Sequence, residues 1–430
     1  MRVVFSAGGT AGHVLPALSV IKQLQKRFHT TSSDAMLDTQ REAALGLPVS
    51  NPKLPSLIGE TKHKMNDASP LSAVFDALFV GGETGMEQAL VTREGINFVG
   101  IQAGGLHGLG VAQKMRNTLR LFSGFFSAMR MMNQYKPDAV LLTGGFVGVP
   151  VSLAAWLQRV PSVVFLPDVE PGLALKVMAR FANKIVSTTE ASAAYVSKSK
   201  HVVTGYPVRE VFHQVSRQSG RAQLGIAAPN AFGADEKVLL IFGGSKGARS
   251  INRAALAGMA QLLELAVVIH VTGSSDWEEV CQARGKMSTA QQARYLAFPY
   301  LHEEMASAMA AADLVICRSG ASALGELPIL GLPAVLVPYP HAWRYQKVNA
   351  EYLVGHNAAM MLADAQLSDP QHGLVSVVTQ LLSNPQQLQT MRHAMQLLGR
   401  ADGADKIADV LCLVVQKANS KKDAMGGVAA

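Results

Sequence analysis

The chain has 430 residues, 49% apolar and 16% charged, with a formal net charge of +8. That length points to two domains rather than one core, and the composition excludes a chain disordered over most of its length. No uninterrupted apolar run of about 18 residues exists, which excludes a bilayer-spanning helix, and the positive excess favours anionic partners.

The first strand, Val3-Val4-Phe5, runs into Ser6–Pro16, SAGGTAGHVLP, and then a helix-like run from Ala17 to Phe28. Gly8, Gly9 and Gly12 let the backbone turn tightly and approach a ligand closely. The amides that open the helix are unpaired and suit an anion, and His13 stands on that turn. From His29 to about Ser72 the chain is rich in Ser, Thr, Asn, Asp and Pro, with no steady period. This predicts an insertion, mostly a long surface loop.

Order returns with the strand Ala77–Val80, the turn Gly81-Gly82-Glu83-Thr84-Gly85, a helix from Met86 and a strand over Ile96–Ile101. From Leu106 to Tyr135, Lys114, Arg116, Arg120 and Arg130 are mixed with Leu119, Phe122, Phe125, Phe126 and Met129. A helix with one basic and one aromatic side suits a membrane surface. The strand Asp138–Leu142 ends in Thr143-Gly144-Gly145-Phe146, and the strand Ser162–Leu166 in Pro167-Asp168-Val169-Glu170. The strand Lys184–Ser187 leads on to Gly205-Tyr206-Pro207-Val208-Arg209.

The polar stretch Ser216–Glu236 reads as the entry to a second domain, after which the opening plan repeats. The strand Lys237–Phe242 runs into the turn Gly243-Gly244-Ser245-Lys246-Gly247-Ala248-Arg249 and a helix from about Ser250. Further strands are expected at Ala266–Val271, Tyr295–Phe298, Leu314–Cys317 and Ala334–Val337. Leu314–Cys317 runs into Arg318-Ser319-Gly320-Ala321-Ser322 and a helix carrying Glu326; a later helix carries Gln346 and Asn349. A last helix spans about Asp405 to Lys417, and residues after about Ala418 read as a frayed tail. Alternating strands and helices imply parallel sheets with right-handed crossovers and ligands at the carboxyl ends of strands. The expected fold is therefore α/β, with two doubly wound halves facing each other across a cleft.

Gly243–Ala248 offers consecutive amides and the Ser245 hydroxyl at a helix start, with Lys246 and Arg249 adding charge: equipment for a phosphate. The spacing matches neither a P-loop nor a dinucleotide fingerprint, which counts against a dinucleotide oxidoreductase. A carboxylate at Glu326 can accept two hydrogen bonds from a ribose diol. No Asp-x-Asp metal pair occurs, so a departing diphosphate would be met by helix N-termini and Lys or Arg instead. The three cysteines, Cys281, Cys317 and Cys412, fit neither a zinc site nor a disulfide framework and point to a reducing cytosol. The single arginine and five-residue apolar strand at the N-terminus are too short for a signal peptide.

GGTAGHVLPAL, VGGETGMEQALV, GGFVGVP, GYPVR, GGSKGARSIN, CRSGASALGE and the Gln346–Asn349 region occur in this order. In that ordered set the chain resembles the MurG family, the bacterial lipid II-forming N-acetylglucosaminyltransferases, over nearly its whole length outside about 29–76 and the tail. The resemblance implies a GT-B fold of two Rossmann-like domains. Residues 1–208 would take lipid I, an undecaprenyl-diphosphate-linked MurNAc-pentapeptide, and 209–400 would hold UDP-GlcNAc. A helix over 401–418 would pack back on the first domain, followed by a flexible tail, 419–430. GlcNAc would move to the 4-hydroxyl of MurNAc with inversion, in peptidoglycan synthesis, with no cofactor required and no nucleic acid partner. The protein would be peripheral, on the cytoplasmic face of the membrane, with 106–135 against anionic lipids.

On the same resemblance His13 matches the loop histidine, a general base or acceptor-orienting group. Thr10, Gly12, Asp168, Arg209, Ser245, Lys246, Gly247, His302, Arg318, Glu326 and Gln346 would contact the donor. Glu326 would hold the ribose, Ser245 and its neighbouring amides the diphosphate, and the backbone around Leu301-His302 the uracil. Gly9, Gly81, Gly82, Gly144 and Gly145 would form the acceptor and diphosphate loops. The chain departs from the family at several places. Phe165-Leu166-Pro167-Asp168 replaces a His-Glu-Gln-Asn run, Tyr345-Gln346 replaces paired glutamines, and Ala11 alters the first glycine loop. Two other readings remain open from the residues. A UDP-GlcNAc 2-epimerase would need carboxylates such as Asp168 and Glu170 facing the sugar. A nucleotide-sugar-binding membrane scaffold would bind donor without transfer.

Overall fold

The computed structural model describes residues 1–8, 11–44, 75–83, 87–102, 111–226, 236–244, 247–340 and 344–426, with the backbone alone at 11, 29–44, 111–119, 422 and 425–426. The N-terminal lobe runs β1 (Arg2–Ser6), α1 (Ala11–Ala44), β2 (Asp76–Gly82), α2 (Glu87–Arg93), β3 (Asn97–Ile101), α3 (Val111–Tyr135), β4 (Ala139–Leu142), α4 (Gly148–Leu157), β5 (Ser162–Leu166), α5 (Leu173–Phe181), β6 (Lys184–Ser187) and β7 (His201–Val203). Two short helices, α6 (Val211–Gln214) and α7 (Arg217–Gln223), lead into the second lobe. That lobe runs β8 (Val238–Phe242), α8 (Arg249–Ala257), α9 (Met259–Leu265), β9 (Val267–Val271), α10 (Trp277–Gly285), α11 (Thr289–Arg294), β10 (Tyr295–Phe298), α12 (Glu304–Ala311), β11 (Leu314–Cys317), α13 (Ala323–Leu330), β12 (Ala334–Leu336), α14 (Tyr345–Gly355), β13 (Ala359–Met361), α15 (Leu374–Leu382), α16 (Pro385–Leu397) and α17 (Gly403–Gly426).

The strands are parallel, ordered β3-β2-β1-β4-β5-β6-β7 in the first lobe and β10-β9-β8-β11-β12-β13 in the second. Parallel sheets covered on both faces need strands that are apolar throughout, and β1 shows why. Val3 and Phe5 pack with Val14, Ile21 and Leu24 of α1, while Val4 packs on the other face with Met132, Val151 and Met178 of α3, α4 and α5. The first of these clusters continues through Tyr206 and Val208 into the second lobe.

The last helix crosses back to the first lobe. Arg27 of α1 holds Asp405 at 2.9 Å and Asp409 at 2.6 Å, and Ile407 and Leu411 are buried among the residues of β1 and α1. Glycine at 205 allows this return: its φ is +89°, and a Cβ there would lie 2.7 Å from Arg400.

The structure corrects several expectations. The first helix starts at Ala11 rather than Ala17, so His13 stands in its first turn instead of on the turn before it, and it runs past Phe28 to Ala44, so 29–44 is helical rather than loop. Its polar residues lower helix propensity, yet no Gly or Pro interrupts them to end the helix; residues 45–74 lie outside the described residues. The terminal helix continues to Gly426, through most of the stretch expected to be a frayed tail, 419–430. The stretch after Ser216 opens with α7, started by a capping box between Ser216 and Ser219. The edge strands β7 and β13, three residues each, were not anticipated.

Candidate active site

In each lobe the strand order reverses between two neighbouring strands, β1 and β4 in the first and β8 and β11 in the second. Crevices at such points sit outside the carboxyl ends of the strands. Register brings the loops together: Ser6 lies beside Leu142, and Phe242 beside Cys317. The turns after β1 and β4 therefore leave their sheet side by side, as do those after β8 and β11.

In the first lobe, the His13 ring lies against the β4 turn. Gly144 has φ +139°, and a Cβ there would come within 2.6 Å of the His13 ring, so only glycine leaves room for the imidazole. Nδ1 of His13 is 3.2 Å from the Gly8 carbonyl. With Nδ1–H donating to it, Nε2 is the basic nitrogen of the ring. The His13 carbonyl accepts a 2.6 Å hydrogen bond from the Thr143 hydroxyl, fixing the turn from behind.

Pro16, inside α1, has no N–H to give the carbonyl of Gly12 one turn earlier. That carbonyl instead accepts from the Tyr206 hydroxyl at 3.2 Å. Tyr206 belongs to the stretch joining the lobes. It packs edge-on against Phe165 of β5 and against Gly325 of α13, where a Cβ would come within 2.5 Å. A proline in the first helix thus leaves the start of that helix tied to the stretch that joins the lobes.

The second lobe supplies the groups suited to a nucleotide. Gly247 donates to the Gly244 carbonyl at 2.9 Å, closing a tight turn before α8; Gly247 has φ +73° and sits against the Thr272 carbonyl. Glu326, on the first turns of α13, is nearly buried, and its carboxyl is pushed up by that burial against the opposing pull of Arg209 and Ser322. Arg209 lies 3.9 Å from Glu326, reaches the His302 carbonyl at 3.5 Å and stands over the Phe212 ring. Arg318 is held in place by Asp364, the Ser250 hydroxyl at 2.8 Å and the Val337 carbonyl at 3.2 Å. Gln346 accepts from the Tyr339 amide at 2.9 Å through its side chain and from the Ser319 hydroxyl at 2.7 Å through its carbonyl.

Asn349 joins the lobes. Fully buried on α14, it donates to Asp168 at 2.7 Å and to the Ser319 carbonyl at 3.1 Å, and accepts from the Val169 amide at 3.0 Å. Burial pushes the Asp168 carboxyl up, while the Asn349 hydrogen bond and nearby His13 pull it down. Hydrogen bonds therefore run from Asp168, near His13, through Asn349 to the loop that begins at Arg318. Beside it, Glu170 pairs with Lys176 at 3.2 Å in its own lobe and with Arg344 at 2.9 Å in the other.

Of the residues expected from the sequence, the structure gathers Gly12, His13, Gly144 and Asp168 on one wall and Arg209, Gly247, His302, Arg318, Glu326 and Gln346 on the other. Gly9, Thr10, Ser245 and Lys246 lie outside the described residues. Gly81, Gly144 and Gly145 have packing roles: a Cβ would strike Phe98 and Glu87 at Gly81, His13 at Gly144 and the Gly8 backbone at Gly145. Gly82 donates its amide to Glu87 at 2.8 Å. Sequence reasoning did not single out Glu87, Tyr206 or Asn349 as connectors, nor Asp364 and Ser250 as the groups that hold Arg318. Only the Gly12–Pro16 spacing signalled a carbonyl in need of a donor.

Comparison with known proteins agrees with this arrangement. Residues 3–72 and 72–187 match the glycosyltransferase family 28 N-terminal domain, and 238–407 the glycosyltransferase family 28 C-terminal domain. A UDP-N-acetylglucosamine–N-acetylmuramyl-(pentapeptide) pyrophosphoryl-undecaprenol N-acetylglucosamine transferase from Roseiflexus sp. (strain RS-1) is 35% identical over 97% of this chain and 96% of its own length. The Bacillus subtilis (strain 168) protein of the same name is 30% identical over 96% and 99%. Among solved structures, Acinetobacter baumannii MurG aligns with a TM-score of 0.67 at 25% identity, over 95% of this chain and 99% of that one. A UDP-GlcNAc 2-epimerase from Neisseria meningitidis aligns with a TM-score of 0.57 at 14% identity, over 96% and 100%, a likeness of fold alone.

Proposed function

The chain belongs to glycosyltransferase family 28, and on that premise we propose that it is the inverting transferase that moves GlcNAc from UDP-GlcNAc to the 4-hydroxyl of MurNAc in lipid I, forming lipid II. The observation that carries the reading is the pairing of walls. The His13 imidazole, in the first turn of α1, stands on one lobe and the nearly buried Glu326, with Arg209 3.9 Å away, on the other, with Asp168 and Asn349 between them.

In this reading Glu326 accepts hydrogen bonds from the ribose hydroxyls, and the amides that open α8, just beyond Gly247, meet the diphosphate. The acceptor oxygen attacks C1 of GlcNAc as the C1–O bond to the diphosphate breaks. UDP leaves with the bonding electrons, and the acceptor proton passes to Nε2 of His13. Inversion follows from attack on the face opposite the leaving group. The backbone amides meet the growing charge on the diphosphate without a cofactor.

The site of membrane contact extends the same reading. On α3, Phe122 and Phe126 are 62% and 67% exposed, between exposed Arg120 and Arg130, and α4, packed beside it, ends in exposed Trp156 and Leu157. No helix among the described residues is long and apolar enough to cross a membrane. Apolar side chains flanked by arginines on a helix face suit an anionic lipid surface, where the polyprenyl acceptor would be met.

His13→Ala tests the chemistry. Turnover is expected to fall at least ~100-fold, the usual range for general-base loss, with UDP affinity within a few-fold of wild type. Turnover that survives within a few-fold would remove His13 from the reaction.

A further inference from the structure

We propose that a second pocket, outside the cleft, binds a small organic phosphate. The cavity, of about 330 Å³, lies between the linker segment, the C-terminal ends of α12 and α13, and the middle of α16. Phe212, Ile329 and Leu330 give it an apolar wall, and His213, Arg217 and Arg392 a basic one.

Arg392 makes the case. Among the described residues no hydrogen bond or ion pair reaches its guanidinium. The nearby carboxylate, Asp313, is already engaged: Arg217 holds one oxygen at 2.8 Å, and Arg221 at 3.3 Å and the Val238 amide at 2.9 Å hold the other. Glu210, close to His213, is paired with Lys26 at 2.6 Å. Two guanidinium groups thus occupy the one nearby carboxylate and leave none for Arg392. Burial pushes the Arg392 guanidinium down, Asp313 opposes this, and Arg217 adds to it. A guanidinium stripped of part of its water and given no partner is costly, and a phosphate supplies both charge and acceptors in the fork geometry arginine favours. The cavity is larger than a bare phosphate needs, and its apolar wall suits a carbon body attached to that phosphate.

The pocket is separate from the cleft. Arg217, which lines it, is held by Asp313, just before β11, and Asp313 accepts from the amide of Val238, which opens β8; both lie at the amino ends of the strands. The turns at Gly247 and Arg318 leave the carboxyl ends. This proposal goes beyond the transferase reading and does not depend on it.

Phenyl phosphate and inorganic phosphate, each titrated calorimetrically at fixed ionic strength into protein saturated with UDP, test the proposal. The expected result is one further site per chain, tighter for phenyl phosphate, weakened at least tenfold by Arg392→Gln and abolished by Ala310→Trp, which fills the cavity from α12. UDP affinity should be unchanged in both variants. If Arg392→Gln does not fold, Ala310→Trp decides. Absence of a further site in the wild type, or binding that persists in the folded variants, would overturn the proposal. Inorganic phosphate binding as tightly as phenyl phosphate would overturn the part played by the apolar wall.

Discussion

Replacing Asn349 with alanine should separate the lobes energetically. The side chain makes three hydrogen bonds in a fully buried position, to Asp168, the Val169 amide and the Ser319 carbonyl. Each is worth about 1 kcal/mol net, more where one partner is a carboxylate, and deletion strands groups that water cannot easily reach. The expected loss is roughly 3 kcal/mol. For a lobe of about 200 residues this corresponds to a melting point lower by roughly 6–12 °C. Calorimetry is the assay, because it also shows whether the lobes melt together. Asn349→Asp gives a sharper contrast: it keeps an acceptor for Val169 but sets a second carboxylate against Asp168. Its loss should exceed that of the alanine variant at pH 8 and shrink at pH 5, as one carboxyl of the pair takes up a proton. A drop under ~2 °C for Asn349→Ala, with a melting profile of the same shape as the wild type's, would refute the idea that this residue joins the lobes.

Glu326→Gln should weaken UDP binding about tenfold, about 1.4 kcal/mol, by replacing a charged acceptor with a neutral one; unchanged affinity in a calorimetric titration would remove the ribose contact. His270, buried between Tyr295 and Asn252, has its imidazole pushed down to about 4 by that burial. The unfolded chain therefore binds a proton that the fold does not between about pH 6.5 and 4, so this stability is present above that window and lost on acidification, by about 3 kcal/mol. Urea unfolding from pH 4 to 8 should show this slope in the wild type and a flatter one in His270→Gln, and identical slopes would contradict it. The pair Phe122→Ser and Phe126→Ser should reduce sedimentation with anionic vesicles at least tenfold while leaving transfer to a water-soluble acceptor analogue intact; equal sedimentation would move the membrane contact elsewhere.

Much of the fold was legible because buried parallel strands carry their signal locally. Val3–Phe5, Ala139–Leu142, Val238–Phe242 and Leu314–Cys317 are apolar runs that end at glycine or polar turns. The edge strands β7 and β13 are too short for such a run, and the long first helix was hidden because Thr30 to Asp34 resembles loop composition without containing a breaker. His13 and Glu326 could be read from their positions at helix starts after strands. Asn349 could not be read in the same way, because its partner Asp168 is 181 residues away and only the folded chain places them together. The same holds for Tyr206 and Gly12, though Pro16 leaves a local trace of that contact.

The most direct measurement of the central claim is the reaction itself: UDP-GlcNAc incubated with a short-chain lipid I analogue, with and without chelator, and the products followed by NMR. The account predicts a β-linked GlcNAc on the MurNAc 4-hydroxyl, one UDP released per linkage, no dependence on chelator, and no turnover of UDP-GlcNAc when the acceptor is omitted. UDP-ManNAc or free UDP formed without acceptor, or a product that keeps the α configuration, would contradict it.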